Sequence, residues 1–216
     1  MLVTYGGVIA GHPLPGKRSP FSSDSQIYAE HLLERFRLFF LIALGETVLT
    51  IGNAFSGGEV GTERLIALGA AFVGTVSLWW CYFHRAERVG IDAVEGAVDA
   101  SRIVAIGNYT LVAMVIGIVA IAVGDELAIG GPDFDSTTTM TALIFGGPAI
   151  FLLAQLVFMR EVSGQAPRAR VGGCIALAVL ALLTAQFSLL VAVIAASAVL
   201  LAVAIADTRA EPSPTA

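Results

Sequence analysis

Charged side chains are scarce in this sequence. They make up 13% of its 216 residues, roughly half of the ~25% that is usual in soluble proteins. Hydrophobic residues make up 56%, more than the ~45–50% of an average soluble domain. The 12 lysines and arginines form no basic patch with interleaved aromatic residues, which argues against nucleic-acid binding. The composition therefore predicts an integral membrane protein.

Cysteine and recognisable catalytic motifs are also scarce. Cys81 and Cys174 both fall in apolar runs, which favours small buried hydrophobes over a disulfide or a zinc site. The acidic stretch from Asp133 lacks the glycine and glutamate of a calcium loop. His31 and Glu34 supply one half of a carboxylate-bridged metal motif without the other half. We find no phosphate-binding loop, nucleophile elbow or zincin helix, so we predict no metal and no cofactor, and nothing favours an enzyme.

Six apolar runs approach the length of about 20 residues that a transmembrane helix needs. They cover approximately residues 32–53, 65–83, 103–123, 139–159, 171–187 and 189–206. The sequence thus predicts an all-α, polytopic membrane bundle of about six transmembrane helices. Little more than Ser188 separates the last two runs, which predicts a tight hairpin, or a tilted or re-entrant helix. We interpret residues 1–31 as the remnant of an earlier span plus a cytoplasmic loop, and residues 207–216 as a cytoplasmic tail.

The few charges are unevenly divided between the two sides of the predicted bundle. If the spans alternate in direction, one side carries nine basic residues: Lys17, Arg18, Arg85, Arg88, Arg102, Arg160, Arg168, Arg170 and Arg209. The other side carries Arg64 together with six acidic residues: Glu59, Glu63, Asp125, Glu126, Asp133 and Asp135. Basic residues concentrate on the cytoplasmic side of membrane proteins. Both ends of the chain are therefore predicted to lie in the cytoplasm, with the lipid bilayer as the main partner.

The first span, "ERFRLFFLIALGETVLTIGN", carries charge where contact with lipid would be expected. Glu46 lies about 16 Å along the helix axis from Arg35, too far for a direct bond. Helical periodicity aligns five residues on one stripe: His31, Arg35, Ile42, Glu46 and Asn53. A charged residue at the membrane centre costs about 2.5–3.5 kcal/mol on insertion scales. Glu46 must therefore be protonated, paired across helices, or exposed to a hydrated cavity.

Two interpretations of this polar stripe remain open. A Glu46 carboxyl that exchanges a proton could serve a transport path through a polar bundle interior, whereas one bonded to a neighbouring helix would simply hold the bundle together. The same choice applies to the other candidates for an ion or ligand pathway: Arg35, His31, Arg37, Asn53, Asn108, Tyr109 and Gln155. Arg35 and Arg37 also lie where long side chains can reach the headgroups.

The fourth span contains a predicted flexible element, Gly146, Gly147 and Pro148, near its midplane. Proline lacks an amide donor and obstructs the preceding turn, and two glycines make the backbone easier to bend. The sequence predicts a kink here. A broken helix of the kind that forms substrate sites in transporters is the alternative.

The charged segment also carries a resemblance to a known family. It resembles the signature of the bacterial low temperature requirement A family, in which an E-R-F-x-L-F stretch leads into L-G-E. The matching residues are Glu34, Arg35, Phe36, Leu38, Phe39, Leu44, Gly45 and Glu46. The resemblance implies a multi-span protein of the bacterial cytoplasmic (inner) membrane, linked by name to growth in the cold, without a known substrate. Family members are typically longer, with further helices before this motif, so the chain resembles the C-terminal part of such a protein. The expected protein partner is a missing N-terminal helical half or, alternatively, a second copy of this chain.

The sequence leads to two functional hypotheses. The first is proton- or ion-coupled transport, in which Glu46 is the coupling centre and Arg35 is its charge partner through water or another helix. The second is a non-transporting membrane scaffold or sensor whose polar residues fix helix packing. The arrangement of side chains around Glu46 is expected to separate them.

Overall fold

The computed structural model of the chain describes residues 24–86, 100–164, 166–184 and 187–209. Within these ranges it contains six α-helices and no β-strand, which confirms the predicted all-α fold. The helices are α1 (Asp24–Ser56), α2 (Thr62–Cys81), α3 (Ala100–Gly130), α4 (Thr138–Ser163), α5 (Arg168–Leu183) and α6 (Leu189–Arg209). A π-helical turn, Tyr82–Ala86, continues α2. Most of the predicted N-terminal segment and of the C-terminal tail lies outside the described residues, as do Lys17, Arg18 and Arg88.

Five of the described helices are long and apolar enough to cross a membrane: α1 from Glu34 onward, α2, α3, α4 and α6. The remaining helix, α5, has 16 residues, or about 24 Å, which is less than the ~30 Å of a hydrocarbon core. It nevertheless connects the two ends of the bundle. Arg170 at its start contacts Asp207 near the end of α6, and Phe187 just beyond its end accepts a hydrogen bond from the Ser136 amide before α4.

Consecutive helices run in opposite directions, so the bundle has two ends. At one end, a Cβ added to Gly107 of α3 would lie 3.2 Å from the Phe36 ring of α1, and Trp80 Nε1 of α2 donates to Thr208 Oγ1 of α6 at 3.0 Å. This basic end carries Arg35, Arg37, Arg160, Arg168, Arg170 and Arg209. The opposite, acidic end carries Glu59, Glu63, Arg64, Asp133 and Asp135.

The core between the helices is apolar and aromatic. The Phe40 ring of α1 stacks on Tyr82 at a centroid distance of 3.8 Å and lies 6.1 Å from the Phe151 ring of α4. Leu78 of α2 and Leu200 of α6 are buried in the same cluster. These contacts hold one face of α1 against the bundle and thereby fix which face of that helix remains outside.

Helices α3 and α4 approach each other closely at two glycines. A Cβ added to Gly147 would lie 2.8 Å from the Ile121 amide nitrogen and 2.9 Å from the Gly117 carbonyl oxygen, whereas a Cβ added to Gly146 would meet nothing within 4 Å. The α-helix continues through Pro148 without interruption. The structure therefore differs from the broken-helix alternative, and it gives Gly147 a packing role.

At the acidic end, Arg64 joins the termini of three helices. Its guanidinium donates to the main-chain carbonyls of Ala54 at 2.6 Å, Glu59 at 3.0 Å and Ile129 at 2.9 Å. The last carbonyls of a helix have no partner within the helix and attract a cation because of the helix dipole. The single described arginine of the acidic end thus holds the C-terminal ends of α1 and α3 against α2.

One helix boundary corrects the sequence interpretation. Helix α3 continues to Gly130, so Asp125 and Glu126 lie on the helix and not in the loop where the hydropathy pattern places them. Ala128 and Ile129 are fully buried. Their packing stabilises the last turns of α3 and places Asp125 inside the bundle, whereas Glu126 stays exposed.

Candidate functional site

Helix α1 has one buried and one exposed face. The buried face carries Phe40, Leu44, Thr47 and Ile51. The predicted polar stripe lies on the other side, where His31, Arg35, Ile42, Glu46 and Asn53 are all exposed. Within an apolar 18-residue segment of this span, 22% is buried, whereas the corresponding segments of the other four candidate spans are 44–56% buried. The residues of the stripe therefore share the face of α1 that points away from the described helices.

Glu46 lies near the middle of the predicted span on this exposed face. No described residue forms a hydrogen bond or an ion pair with its carboxyl group. The space beside it is open, because a Cβ added to Gly45 or Gly52 would meet nothing within 4 Å. The exposed face, defined here by Ile42, Gly45, Glu46, Gly52 and Asn53, thus combines small residues with polar ones. Transmembrane helices pack closely on surfaces of this kind.

The other predicted pathway residues are divided between surface and core. Asn108 and Tyr109 of α3 are exposed, Tyr109 by 54%. The Arg37 guanidinium lies 5.8 Å from the centroid of the Phe83 ring. Gln155 of α4 is fully buried. The structure consequently does not gather these residues into one site.

Gln155 belongs instead to a buried network centred on Arg170. Arg170 Nε donates to Gln155 Oε1 at 2.8 Å, and its Nη2 lies 3.0 Å from Asp207 Oδ2, with both side chains fully buried. Nη1 donates to the Met159 sulfur at 3.2 Å, and Nη2 donates to the Cys81 carbonyl at 3.0 Å. One guanidinium therefore connects α2, α4, α5 and α6.

The Cys81 carbonyl lies where α2 passes into the π-helical turn. A π-bulge changes the register of main-chain hydrogen bonding and is often found at functional sites. Here the Arg170 guanidinium bonds the carbonyl at this change of register. The network therefore contains both an ion pair and a hydrogen bond that stabilises an irregular stretch of backbone.

Metal binding finds no support in the described part of the chain. It contains no group of three His, Cys, Asp or Glu side chains arranged to hold a metal ion. His31 and Glu34 approach to 3.6 Å, and both are more than two-thirds exposed. Cys81 and Cys174 are free thiols. No described cluster suggests a cofactor.

Sequence reasoning missed Arg170 and Asp207 as buried residues. The hydropathy pattern places Arg170 in a charged surface loop and Asp207 in the C-terminal tail. The available signal was their position, since they start and end apolar runs at the same end of the bundle with opposite charges. Recognising the pair also requires knowing that α5 and α6 are neighbours there.

Comparison with known proteins agrees with this architecture. The chain matches the family described as bacterial low temperature requirement A protein (LtrA) over residues 1–205. It is 33% identical over 195 residues to an uncharacterized protein of Rhizobium meliloti (strain 1021), an alignment that covers 88% of this chain and 45% of the relative. The chain thus spans about half the length of the curated relative that it matches. No solved structure matches it. This multi-pass helical chain belongs to the bacterial low temperature requirement A family.

Proposed function

We propose that this chain is one of two helical units of a membrane transport protein for protons or small ions. The transport path would run along the exposed face of α1, between this bundle and the second unit. The observation that carries the proposal is the position of Glu46, exposed near the middle of an apolar span without a partner among the described residues.

The free-energy cost of exposing the Glu46 carboxylate to lipid supports a partner that covers this face of α1. A carboxylate facing acyl chains at this depth costs about 2.5–3.5 kcal/mol, and intramembrane ionisable residues generally face a protein interior or a hydrated cavity. The described helices leave Glu46 outside, so another polar surface is needed to cover it. Gly45 and Gly52 beside it leave room for a closely packed helix.

The length of the relative supports a second helical unit as the covering partner. The alignment covers 45% of that protein, so more than half of its length lies beyond the match. We propose that helices equivalent to that remaining part cover α1 and present a hydrogen-bond donor to Glu46. A second copy of this chain is the alternative occupant.

Within this interface we assign roles to the residues of the polar stripe. Glu46 is the proton- or ion-coupled centre, and Arg35 acts on it through water or through the partner unit. Asn53 lies two turns further along the same face and extends the polar path toward the acidic end. We place the protein in the bacterial inner membrane with both chain ends in the cytoplasm, because the arginines gather at the basic end.

Flux measurements on the complete two-unit assembly in proteoliposomes test the proposal. We expect a proton or ion flux that Glu46→Gln lowers at least tenfold, since the amide keeps the shape and loses the titratable group. Glu126→Gln, at an exposed carboxyl of α3, is the matched control and should keep the flux. Equal flux in both variants, with intact folding, would contradict the role of Glu46.

A non-transporting scaffold is the second candidate, and the Arg170 network favours it. That network uses a buried guanidinium to fix four helices. If the complete assembly passes no proton or ion while Glu46→Gln weakens association of the two units, the polar face serves assembly alone.

A further inference from the structure

The bundle interior holds a carboxyl group that neither the α1 face nor the Arg170 network uses. Asp125 of α3 is 4% exposed. Its Oδ2 atom is sealed from the surface and receives no hydrogen bond in the described structure. An ionised carboxylate buried without a partner is far more costly than a neutral acid.

The face of α3 that carries Asp125 is otherwise apolar. Ile118 and Ile121 precede it on the same face of α3, and Ile129 follows it one turn later, all of them buried. The adjacent Gly124 packs against α4, since a Cβ added there would lie 3.0 Å from Ile144 Cγ1. This environment provides little solvation for a negative charge.

The charged groups on the neighbouring helices do not neutralise it. Helix α3 packs against α1, α2, α4 and α6. From α1, the mid-span charge is Glu46 on the exposed face, and Arg35 and Arg37 lie at the basic end. From α4 and α6, the charged residues Arg160, Glu161, Asp207 and Arg209 lie at the basic end as well.

Helix α2 contributes Glu63 and Arg64 at the acidic end. The Arg64 guanidinium is directed at main-chain carbonyls, including those of Ala54 and Ile129, and it makes no ion pair with Asp125 within 4 Å. Glu63 carries the same sign of charge as an ionised Asp125. No described cation therefore compensates the buried carboxyl.

We propose that Asp125 is a proton-binding site inside this bundle, held as a neutral carboxylic acid. It lies five residues before the end of α3, or about 7.5 Å along the axis, so its proton exchanges with the acidic end. The site is separate from Glu46, because Asp125 is buried inside the bundle and Glu46 lies on the exposed face of α1. The inference does not depend on transport along that face.

Infrared spectroscopy of the complete protein in lipid nanodiscs tests the site directly. A protonated carboxyl gives a C=O stretching band that a carboxylate lacks, and labelling all aspartates with ¹³C shifts any aspartic acid band. We expect wild-type protein to show a ¹³C-sensitive band that disappears reversibly when the pH is raised. Asp125→Asn should remove this band, and Asp133→Asn, at an exposed position, should leave it unchanged.

Two results would overturn the proposal. Wild-type protein without a ¹³C-sensitive carboxylic acid band would show that Asp125 is ionised, and this measurement requires no variant to fold. A band that survives Asp125→Asn in folded protein would assign the proton to another aspartate. Since neither readout measures flux or Glu46, failure here is distinguishable from failure of the proposed transport function.

Discussion

Arg170 and Asp207 form an ion pair at 3.0 Å in which both side chains are fully buried. Isolated in an apolar medium, either charge would be strongly unfavourable. Their mutual attraction, with the Gln155 and Cys81 oxygens that accept from the same guanidinium, compensates that cost. We therefore expect a large loss in the free energy of unfolding mainly when one partner of the pair is removed and the other remains.

Removing one partner should destabilise the bundle more than removing both. We expect Arg170→Met or Asp207→Leu alone to lower the free energy of unfolding by about 3–5 kcal/mol, because each leaves a buried charge uncompensated. The double variant should lose clearly less than the sum of the two. Reversible unfolding in mixed detergent micelles measures all three.

Arg168 provides the control, since it lies two residues earlier on α5 and is exposed. Arg168→Ala should change the free energy of unfolding by about 0.5 kcal/mol or less. Additive losses in the Arg170 and Asp207 double variant would show that the two side chains do not interact energetically.

The overall fold was predictable because run length and charge scarcity determine it. A membrane span needs about 20 apolar residues, and the sequence marks the runs with polar connections. The ends of the helices were less predictable. The segment after Val123 contains acidic residues typical of a loop, yet burial of Ala128 and Ile129 keeps it helical to Gly130. That packing depends on other helices and leaves no local signal.

The sequence indicates which residues of the candidate site share one face of α1, but it does not indicate whether that face is buried or exposed. Helical periodicity alone places Glu46 and Asn53 on one face. Which face of α1 enters the bundle depends on how Phe40 and Ile51 fit the neighbouring helices, and both faces of this helix are rich in apolar residues. The burial of Arg170 likewise depends on tertiary contacts, because local sequence cannot distinguish it from the exposed Arg168.

Arg64 should be important for stability despite its position at the surface of the bundle. Arg64→Ala removes the donors to three helix-terminal carbonyls, and hydrogen bonds of charged groups contribute about 1.5–3 kcal/mol each without adding fully. We expect a loss of about 2–3 kcal/mol in the free energy of unfolding. Arg64→Lys should recover less than half of it, because a point charge cannot replace the planar fork.

Arg209→Lys, at the exposed end of α6, serves as the matched substitution and should be neutral. If Arg64→Lys were equally neutral, the positive charge alone would account for the role of Arg64, and the directed hydrogen bonds would be unimportant.

The orientation in the membrane can be tested with single cysteines at the two ends. In a Cys174→Ala background, Glu59→Cys places a thiol at the acidic end and Arg209→Cys places one at the basic end. The positive-inside pattern predicts that a membrane-impermeant maleimide labels position 59 on intact cells and labels position 209 after permeabilisation. Labelling of position 209 on intact cells would reverse the proposed orientation.

Adjacent glycines in α4 allow a closely matched test of helix packing. Gly147→Ala should destabilise the protein by about 1–3 kcal/mol, because the new Cβ would approach the Ile121 nitrogen and the Gly117 carbonyl within 3 Å. Gly146→Ala adds the same atom next to the same proline, where nothing lies within 4 Å. Alanine is the better helix former by about 1 kcal/mol, so this variant should be neutral or stabilising. Detergent unfolding of both variants separates the two roles: similar destabilisation would mean that backbone flexibility before Pro148, and not contact with α3, is what these glycines provide.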